Sequence, residues 1–302
     1  MAVERNFNGG IIDTMVYFPS VDKDRFDWLQ PALGTHAAGD PGTLPVDYLF
    51  KRPPLLPQGV DPIEFVVTQM DLHGVSQALV DATDVDGLGR AAVRMFPNRF
   101  FGWLSVDPNR GMDAVRALER AKCEIPVVAA SCGPAFLHPQ VPINDKKFYP
   151  IYAKCVELDV PIFLTVGVPG PRVPMAPQEV GLLDEVCWFF PELKLVMRHG
   201  AEPWVELAVK LMLKWPNLYY STSAFAPKHY PRAIVDFANK RGADKVIFAG
   251  YFAVGLSYER IFAELPEVPF REHVWPKFLH ENARRVFGLS ETPTDECTGE
   301  AE

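Results

Sequence analysis

The chain has 302 residues, of which 48% are hydrophobic and 23% are charged, a composition typical of a globular protein with a large core. Its net charge of −8 disfavours nucleic acid and anionic membranes as partners. The five cysteines show no CxxC spacing, and the N-terminus lacks a signal peptide's apolar region. We therefore expect a cytoplasmic protein that has no membrane span and no cysteine-based zinc site.

Apolar runs alternate with helical patterns along the chain. A first strand at residues 10–18 precedes a Pro-, Gly- and Asp-rich segment, residues 20–60, which has no sustained period and is typical of a lid or binding loop. Helices are predicted at residues 61–73, 87–96, 113–122, 146–158, 178–189, 204–213, 231–240, 257–265 and 275–287. The other strands are predicted at residues 75–80, 100–106, 125–130, 160–166, 193–199, 217–223 and 245–250.

Eight strands that alternate with helices favour a closed α/β barrel, the (β/α)8 TIM barrel, over an open sheet. Most of these strands are continuously apolar, as expected where both faces of a parallel sheet are buried. We predict one domain, residues 1–289, with a long insertion loop between the first strand and the first helix. The polar, acidic residues 290–302 are predicted to form a disordered tail.

The segment at residues 193–204 carries the clearest chemical signal. Its apolar strand ends at Arg198, His199 and Gly200, and Pro203 suits the first turn of a following helix. His199 therefore lies at the C-terminal end of strand six, where α/β barrels assemble their active sites. By strand alternation, Arg198 is expected to point the other way. The alternative is a histidine that only caps a buried strand.

Four stretches of the sequence form a recognisable set. They are Ile-Ile-Asp at residues 11–13, His-Gly-Ala-Glu-Pro-Trp at 199–204, the run 217–231 with its Tyr-Tyr-Ser-Thr-Ser, and the ending at 278–289. Together they resemble the amidohydrolase superfamily, and within it the branch related to aminocarboxymuconate-semialdehyde decarboxylase. The resemblance implies the same barrel. It also implies one divalent metal, often zinc, held by a His-x-His pair on strand one, histidines ending strands five and six, and an aspartate ending strand eight.

The sequence departs from that ligand pattern at most positions. Met15 and Tyr17 stand where the His-x-His pair belongs, Thr165 replaces the strand-five histidine, and Tyr251 replaces the aspartate. Only His199 matches. A thioether, two phenols and a hydroxyl are poor zinc ligands beside imidazole and carboxylate. We therefore predict a metal-independent site without a cofactor.

The substituted residues could still carry out chemistry on a carbonyl compound. His199 is predicted to act as a general acid or base, with Tyr17 and Tyr251 as hydrogen-bond donors. The candidate substrate-binding residues lie at strand ends or in the loops beyond them: Met15, Thr165, Arg172, Ser221 and His229. Arg172 is placed to pair with a substrate carboxylate. An ordinary loop arginine and an exposed loop histidine remain the alternatives for Arg172 and His229.

Two enzymatic functions follow from these observations. The first is a metal-independent, amidohydrolase-like hydrolase or C–C lyase of the decarboxylase type, acting on a small carbonyl or carboxylate metabolite. The second is a zinc- or manganese-dependent decarboxylase or hydrolase, in which His199 binds the metal with residues such as His36, Asp13 or Asp81. The alternative for Asp81 is a structural role as the cap of the next helix, which is common for carboxylates at strand ends.

The third function is non-catalytic, a barrel used as a binding or partner subunit. A mouth filled by Met15, Phe18, Phe252 and the segment at residues 20–60 would favour it, and convergent polar groups would oppose it. Large apolar helices also make a homo-oligomer plausible. The substrate, the direction of the reaction and the number of subunits are not readable from the sequence.

Overall fold

In a computed structural model of the protein, the structure describes residues 10–19, 27–33, 46, 48–50, 54–84 and 86–289. Eight parallel strands lie in one sheet in the order of the sequence, from β1 to β8. The strands are β1 Ile11–Val16, β2 Val75–Asp81, β3 Phe100–Ser105, β4 Val127–Cys132, β5 Ile162–Thr165, β6 Leu195–Arg198, β7 Leu218–Ser221 and β8 Val246–Ile247. The predicted α/β barrel with a long loop after β1 is confirmed.

The first and last strands meet and nearly close the barrel. A parallel bridge joins Val16 to Phe252, and the amide nitrogen of Tyr17 lies 2.5 Å from the carbonyl oxygen of Phe252. Lower in the barrel, the amide of Thr14 donates to the carbonyl oxygen of Phe248 at 3.3 Å. These bonds bring the C-terminal ends of β1 and β8 side by side, so the residues that follow them share the barrel mouth.

The helices cover the outside of the sheet. They are α1 Pro62–Leu72, α2 Leu88–Met95, α3 Met112–Glu124, α4 Tyr149–Glu157, α5 Leu183–Phe189, α6 Val205–Lys214, α7 Arg232–Phe237, α8 Tyr258–Glu264 and α9 Asn282–Phe287. Consecutive parallel strands are joined by helices, and these helices pack on the outer face of the sheet. Each strand therefore has an outward face against helices and an inward face in the barrel. Among the described residues, no helix is long and apolar enough to cross a membrane.

The barrel interior is a packed core at its N-terminal end. Phe163 and the other inward-facing apolar residues of the strands form a cluster separate from the layer under the helices. Val286 and Phe287 of α9 belong to this inner cluster, and the rings of Phe163 and Phe287 stack with their centroids 5.0 Å apart. The last helix therefore closes the bottom of the barrel, and polar side chains gather at the opposite, C-terminal end.

Several predicted elements are longer than the observed ones. The predicted strand at residues 245–250 shortens to Val246–Ile247, because the residues beyond it bend into the mouth. Short 3-10 turns at Ala176–Gln178 and Val180–Leu182 replace the first half of the predicted helix 178–189. Pro203 lies in the turn before α6 rather than inside it. The predicted acidic tail, residues 290–302, lies outside the described residues, as does most of the segment at residues 20–60.

Candidate active site

Three aromatic rings meet at the C-terminal end of the barrel. The ring centroids of His199 and Tyr251 are 5.4 Å apart, and those of Tyr251 and Tyr17 are 5.8 Å apart. All three side chains are partly exposed. Tyr17 follows β1, His199 follows β6 and Tyr251 follows β8, so the structure brings together the three residues that the sequence proposed as catalytic.

His199 reaches the mouth through an unusual backbone turn. Strand β6 ends at Arg198, and His199, Gly200 and Ala201 then have φ angles of 66°, 93° and 61°. For residues other than glycine this left-handed conformation costs roughly 1–2 kcal/mol each. Tyr251 shares it, with φ of 55°. Such strain persists only where the surroundings over-determine it, and it is commonly found at functional sites.

Contacts from neighbouring elements hold this turn in place. The hydroxyl oxygen of Ser223 lies 3.2 Å from the backbone nitrogen of His199 and 3.3 Å from its Nδ1 atom. Tyr220 donates its hydroxyl to the carbonyl oxygen of Gly200 at 3.2 Å. A Cβ atom on Gly200 would lie 2.3 Å from the ring of Phe225, so only glycine fits there. The position of the imidazole is therefore set by packing as well as by the chain.

The imidazole of His199 is neutral at physiological pH. Its pKa is lowered from 6.5 to about 3: burial is the largest cause, the charge of Arg198 adds to the lowering, and an interaction with Ser223 partly opposes both. A neutral imidazole offers one N–H donor and one nitrogen acceptor. The ring can therefore bind or polarise a substrate, but it holds no positive charge of its own.

Arg198 lies inside the barrel, and the expectation that it points away from His199 is wrong. Its guanidinium carbon is 3.4 Å from the ring centroid of Phe163 and 4.3 Å from that of Trp103, both members of the inner cluster. Strand alternation does not extend to His199, because the extended backbone ends at Arg198. Val196 and Arg198 are the inward pair of β6, and the turn beyond the strand sends His199 back to the mouth.

The Arg198 guanidinium is a buried cation whose hydrogen bonds go to neutral groups. Its side chain donates to the Ser131 hydroxyl at 3.1 Å and the Thr14 carbonyl at 3.4 Å, and the residue is 3% exposed. Burial lowers its pKa to about 10, partly opposed by Tyr17, Asp81 and Tyr251, so it stays charged at neutral pH.

The surroundings of Arg198 do not balance its charge. Each ring contact contributes about 0.5–2 kcal/mol. Desolvating a cation costs several kcal/mol. The pKa of Arg198 is lowered, which is expected when the cost of desolvation exceeds the stabilisation that its neighbours provide. The described residues therefore offset the cost of burying this charge only in part.

Two hydroxyl groups share the level of Arg198 on the neighbouring strands. Thr165 pairs with Arg198 in the register of β5 and β6 and is 7% exposed. Ser221 follows Tyr220, whose register partner is Met197, and Ser221 is fully buried. Both residues therefore lie where the sequence placed them, beside the inward face of β6.

Of the other proposed binding residues, Arg172 and His229 do not join this cluster, whereas Met15 lies below it. Arg172 is exposed, and its guanidinium carbon lies 4.8 Å from the ring centroid of Tyr48. His229 is exposed in the short turn Pro227–His229, which agrees with the alternative of a loop histidine. Met15 is 2% exposed and belongs to the inner barrel core, so it forms part of the floor of the mouth.

The carboxylates near the strand ends have structural partners. Asp81 accepts hydrogen bonds from the backbone and hydroxyl of Thr83, and from the hydroxyl of Ser105 at 3.1 Å. Asp107 accepts from the backbone nitrogen of Asn109 at 2.9 Å and caps a short turn. The sequence did not identify Ser105, which differs from an ordinary loop serine only in its place on the barrel.

Asp13 organises the closure of the barrel. It is fully buried, and its Oδ1 atom accepts from the backbone nitrogens of Met15 at 3.0 Å and Gly250 at 2.8 Å. Its Oδ2 atom accepts from the Tyr258 hydroxyl at 3.0 Å. Burial raises its pKa to about 6, although these three hydrogen bonds oppose the shift. Asp13 thereby links the chain just before Tyr17 to the chain just before Tyr251.

Several residues around Arg198 and His199 were not among the site residues predicted from the sequence. Ser131, Trp103 and Phe163 contact Arg198, and Ser223 contacts His199. Each lies at or near a strand end, at a position whose side chain faces the barrel interior. Which alternate positions face inward is known only once the register of the barrel is fixed. Gly200 after His199 was the one available hint, since glycine favours a positive φ.

A family model described as amidohydrolase matches residues 39–289. The chain belongs to the amidohydrolase family. The resemblance read from the four stretches is therefore confirmed, as is the expectation of an enzyme of the hydrolase or lyase type. A search of the curated proteins finds no match to this amidohydrolase.

Solved structures similar to this amidohydrolase have the same barrel. An uncharacterised TIM-barrel protein from Bordetella bronchiseptica is 18% identical, with 92% of this chain and 98% of that chain covered and a TM-score of 0.72. A 2,6-dihydroxybenzoate decarboxylase in complex with 2,6-dihydroxybenzoate is 15% identical (93% and 100% covered, TM-score 0.65). A manganese-containing 5-carboxyvanillate decarboxylase from Novosphingobium aromaticivorans is 16% identical (93% and 97% covered, TM-score 0.66). At these identities the likeness establishes the fold alone.

The donor set at the mouth of this amidohydrolase does not fit a divalent metal. Within the described ranges, no three His, Cys, Asp or Glu side chains are grouped so that they could hold one. Both oxygens of Asp13 are occupied by hydrogen bonds, which counts against it as a ligand. Asp81, also named for a metal site, accepts hydrogen bonds from Thr83 and Ser105, and His36, the third residue named, lies outside the described residues. A divalent cation would also be repelled by the charged Arg198 guanidinium.

Proposed function

We propose that this amidohydrolase catalyses metal-independent hydrolysis or C–C bond cleavage, of the decarboxylase type, on a small carbonyl or carboxylate compound. The observation that carries the proposal is the convergence of Tyr17, His199 and Tyr251 at the mouth, with ring centroids 5.4 and 5.8 Å apart. Two of these three groups are phenols, which donate hydrogen bonds and keep their protons at neutral pH.

The tyrosines are proposed to stabilise negative charge that develops on a substrate oxygen. Preorganised donors aimed at such an oxygen are usually the largest single contribution to catalysis of this kind. His199 was predicted to act as a general acid or base. Its lowered pKa favours a different role, in which the neutral ring orients the substrate or donates a hydrogen bond from its N–H.

The positive charge that a metal supplies in the related enzymes is proposed to come here from Arg198. The guanidinium is fixed by ring contacts and hydrogen bonds, so it needs no reorganisation when a substrate anion enters. Manganese in the 5-carboxyvanillate decarboxylase structure supports the competing, metal-dependent alternative. The two are separated by experiment.

The test is a turnover assay on the purified full-length protein with 2,6-dihydroxybenzoate, 5-carboxyvanillate and a set of simple lactones. We expect at least one compound to be converted, with a rate unchanged by EDTA and with substoichiometric metal in the active protein. Loss of activity in EDTA and recovery with manganese or zinc would instead establish the metal-dependent alternative. Absence of turnover in every case would favour a non-catalytic barrel.

The variant Tyr251→Phe sharpens this test. It removes one hydroxyl and keeps the ring contacts with Tyr17, His199 and Phe50. If Tyr251 stabilises the transition state, kcat should fall by roughly 10²–10³-fold, as when an oxyanion donor is removed. The matched control is Tyr149→Phe, because Tyr149 lies on α4 against Phe190, outside the barrel. Equal activity in the two variants would refute the role of the phenol.

A further inference from the structure

The positive charge of Arg198 has no carboxylate partner within the part of the chain that is described. Its Nε atom is buried without a hydrogen-bond partner there, while its other nitrogens donate to the Ser131 hydroxyl and the Thr14 carbonyl. Asp81 interacts with Arg198 electrostatically, but its oxygens already accept hydrogen bonds from Ser105 and from its own turn. One buried N–H of a cation is therefore left over in the mouth.

A second unpartnered polar atom lies on the strand next to that of Arg198. Met197 and Tyr220 are register partners on β6 and β7, so the next residues, Arg198 and Ser221, are neighbours on the two strands. Tyr220 belongs to the outer core, and Ser221 therefore faces the barrel interior. Ser221 is fully buried, and in the described structure its hydroxyl has no hydrogen-bond partner. Buried polar groups are normally paired, so two unpartnered groups on adjacent residues of neighbouring strands indicate a missing ligand.

We propose that Arg198 and Ser221 bind the carboxylate group of a small organic acid, beneath the rings of Tyr17, His199 and Tyr251. The guanidinium N–H and the serine hydroxyl supply one donor to each carboxylate oxygen. The single positive charge matches a monoanion, whereas phosphate would bring further charge that this cluster cannot balance. The acid's remaining atoms then lie toward the three partly exposed rings at the mouth.

This assignment deepens the proposed function, on which it rests for the class of substrate, and it replaces Arg172 as the carboxylate-binding residue. The Arg172 guanidinium is exposed against Tyr48, where water screens it. The buried Arg198 cation is screened far less, so it discriminates more strongly between an acid and a neutral molecule of the same shape.

The experiment is isothermal titration calorimetry of the full-length protein with benzoate, acetate, benzamide and inorganic phosphate. We expect benzoate or acetate to bind, with benzamide and phosphate bound at least about tenfold more weakly. In Arg198→Met, which keeps an unbranched side chain, acid affinity should fall by about 10- to 100-fold, and in Ser221→Ala it should fall less. Arg116→Met removes an exposed arginine of α3 and should bind the acids as the wild type does.

Three results would overturn the inference. They are a wild type that binds neither acid, a wild type that binds benzamide as well as benzoate, and an Arg172→Met variant that loses acid binding while Arg198→Met retains it. Should Arg198→Met fail to fold by circular dichroism, the benzoate–benzamide comparison and Ser221→Ala still decide. The binding assay does not depend on turnover. Acid binding through Arg198 without catalysis would support this site and contradict the proposed function. Catalysis without acid binding through Arg198 would support the proposed function and contradict this site.

Discussion

Replacing Asp13 with asparagine should stabilise the protein at neutral pH, although Asp13 makes three hydrogen bonds. The substitution keeps the Oδ1 acceptor of the Met15 and Gly250 amides, and its new NH2 group can donate to the Tyr258 oxygen in place of Oδ2. What it removes is the charge. Burial is the largest influence on the Asp13 carboxyl and makes its ionised form costly in the folded protein.

The magnitude follows from the pKa shift. The pKa of Asp13 rises from 3.8 in the unfolded chain to about 6 in the fold, and at 1.36 kcal/mol per unit this amounts to about 3 kcal/mol. Between these two values the folded protein holds a proton that the unfolded chain has lost. Stability therefore falls as pH rises from about 4 to about 6 and levels off above that range.

The assay is urea unfolding of the wild type and Asp13→Asn from pH 4 to pH 8. The two proteins should have similar stability near pH 4, and the variant should gain up to about 3 kcal/mol by pH 7, or a rise in Tm of about 5 °C. Asp13→Ala is the second arm, because it leaves three buried donors unpaired and should destabilise at every pH by about 1–3 kcal/mol per donor. A stability difference between wild type and Asp13→Asn that does not change with pH would refute the reasoning.

Two further predictions concern the turn at His199. Gly200→Ala should destabilise the protein and lower activity, because its Cβ would meet the Phe225 ring at 2.3 Å, whereas Gly59→Ala, also at positive φ but with open space around it, should cost only about 1 kcal/mol in thermal unfolding. Similar losses of stability in Gly200→Ala and Gly59→Ala would show that the contact with Phe225 is not the cause. In histidine-detected NMR, His199 should stay neutral from pH 5 to pH 8, and Arg198→Met should raise its pKa by removing the nearby cation. A wild-type titration near pH 6.5 would contradict the burial argument.

The barrel could be predicted from the sequence because its signals are repeated and local. Each strand is a short apolar run, and each is followed by a helical pattern, so an error at one boundary leaves the count of eight unchanged. The boundaries themselves were too generous at β8, where the apolar residues Phe248 and Ala249 lie beyond Val246–Ile247. An apolar residue indicates burial and not strand conformation. The residues that follow the strand are as buried as the strand itself, so apolar character alone does not mark where the strand ends.

The direction of side chains at the mouth could not be predicted in the same way. Period-two alternation holds only while the backbone is extended, and β6 leaves that conformation at His199, where φ becomes 66°. Counting inward parity from His199 therefore sent Arg198 to the wrong side. Counting from the core residue Val196 would have been correct, but that parity is visible only once Val196 is known to belong to the inner cluster.

The replacements at the mouth make electrostatic sense as a set once Arg198 is placed. In the family pattern implied by the resemblance, an aspartate ends strand eight, where this chain has Tyr251. Tyr251 and Tyr17 both interact electrostatically with the buried guanidinium. An aspartate at this position would form an ion pair with Arg198 and take the place that we assign to the substrate carboxylate. A neutral phenol donates a hydrogen bond and leaves the guanidinium available to the substrate. A divalent metal would add further positive charge beside the guanidinium, and among the described residues no group of three His, Cys, Asp or Glu side chains is placed to offset it.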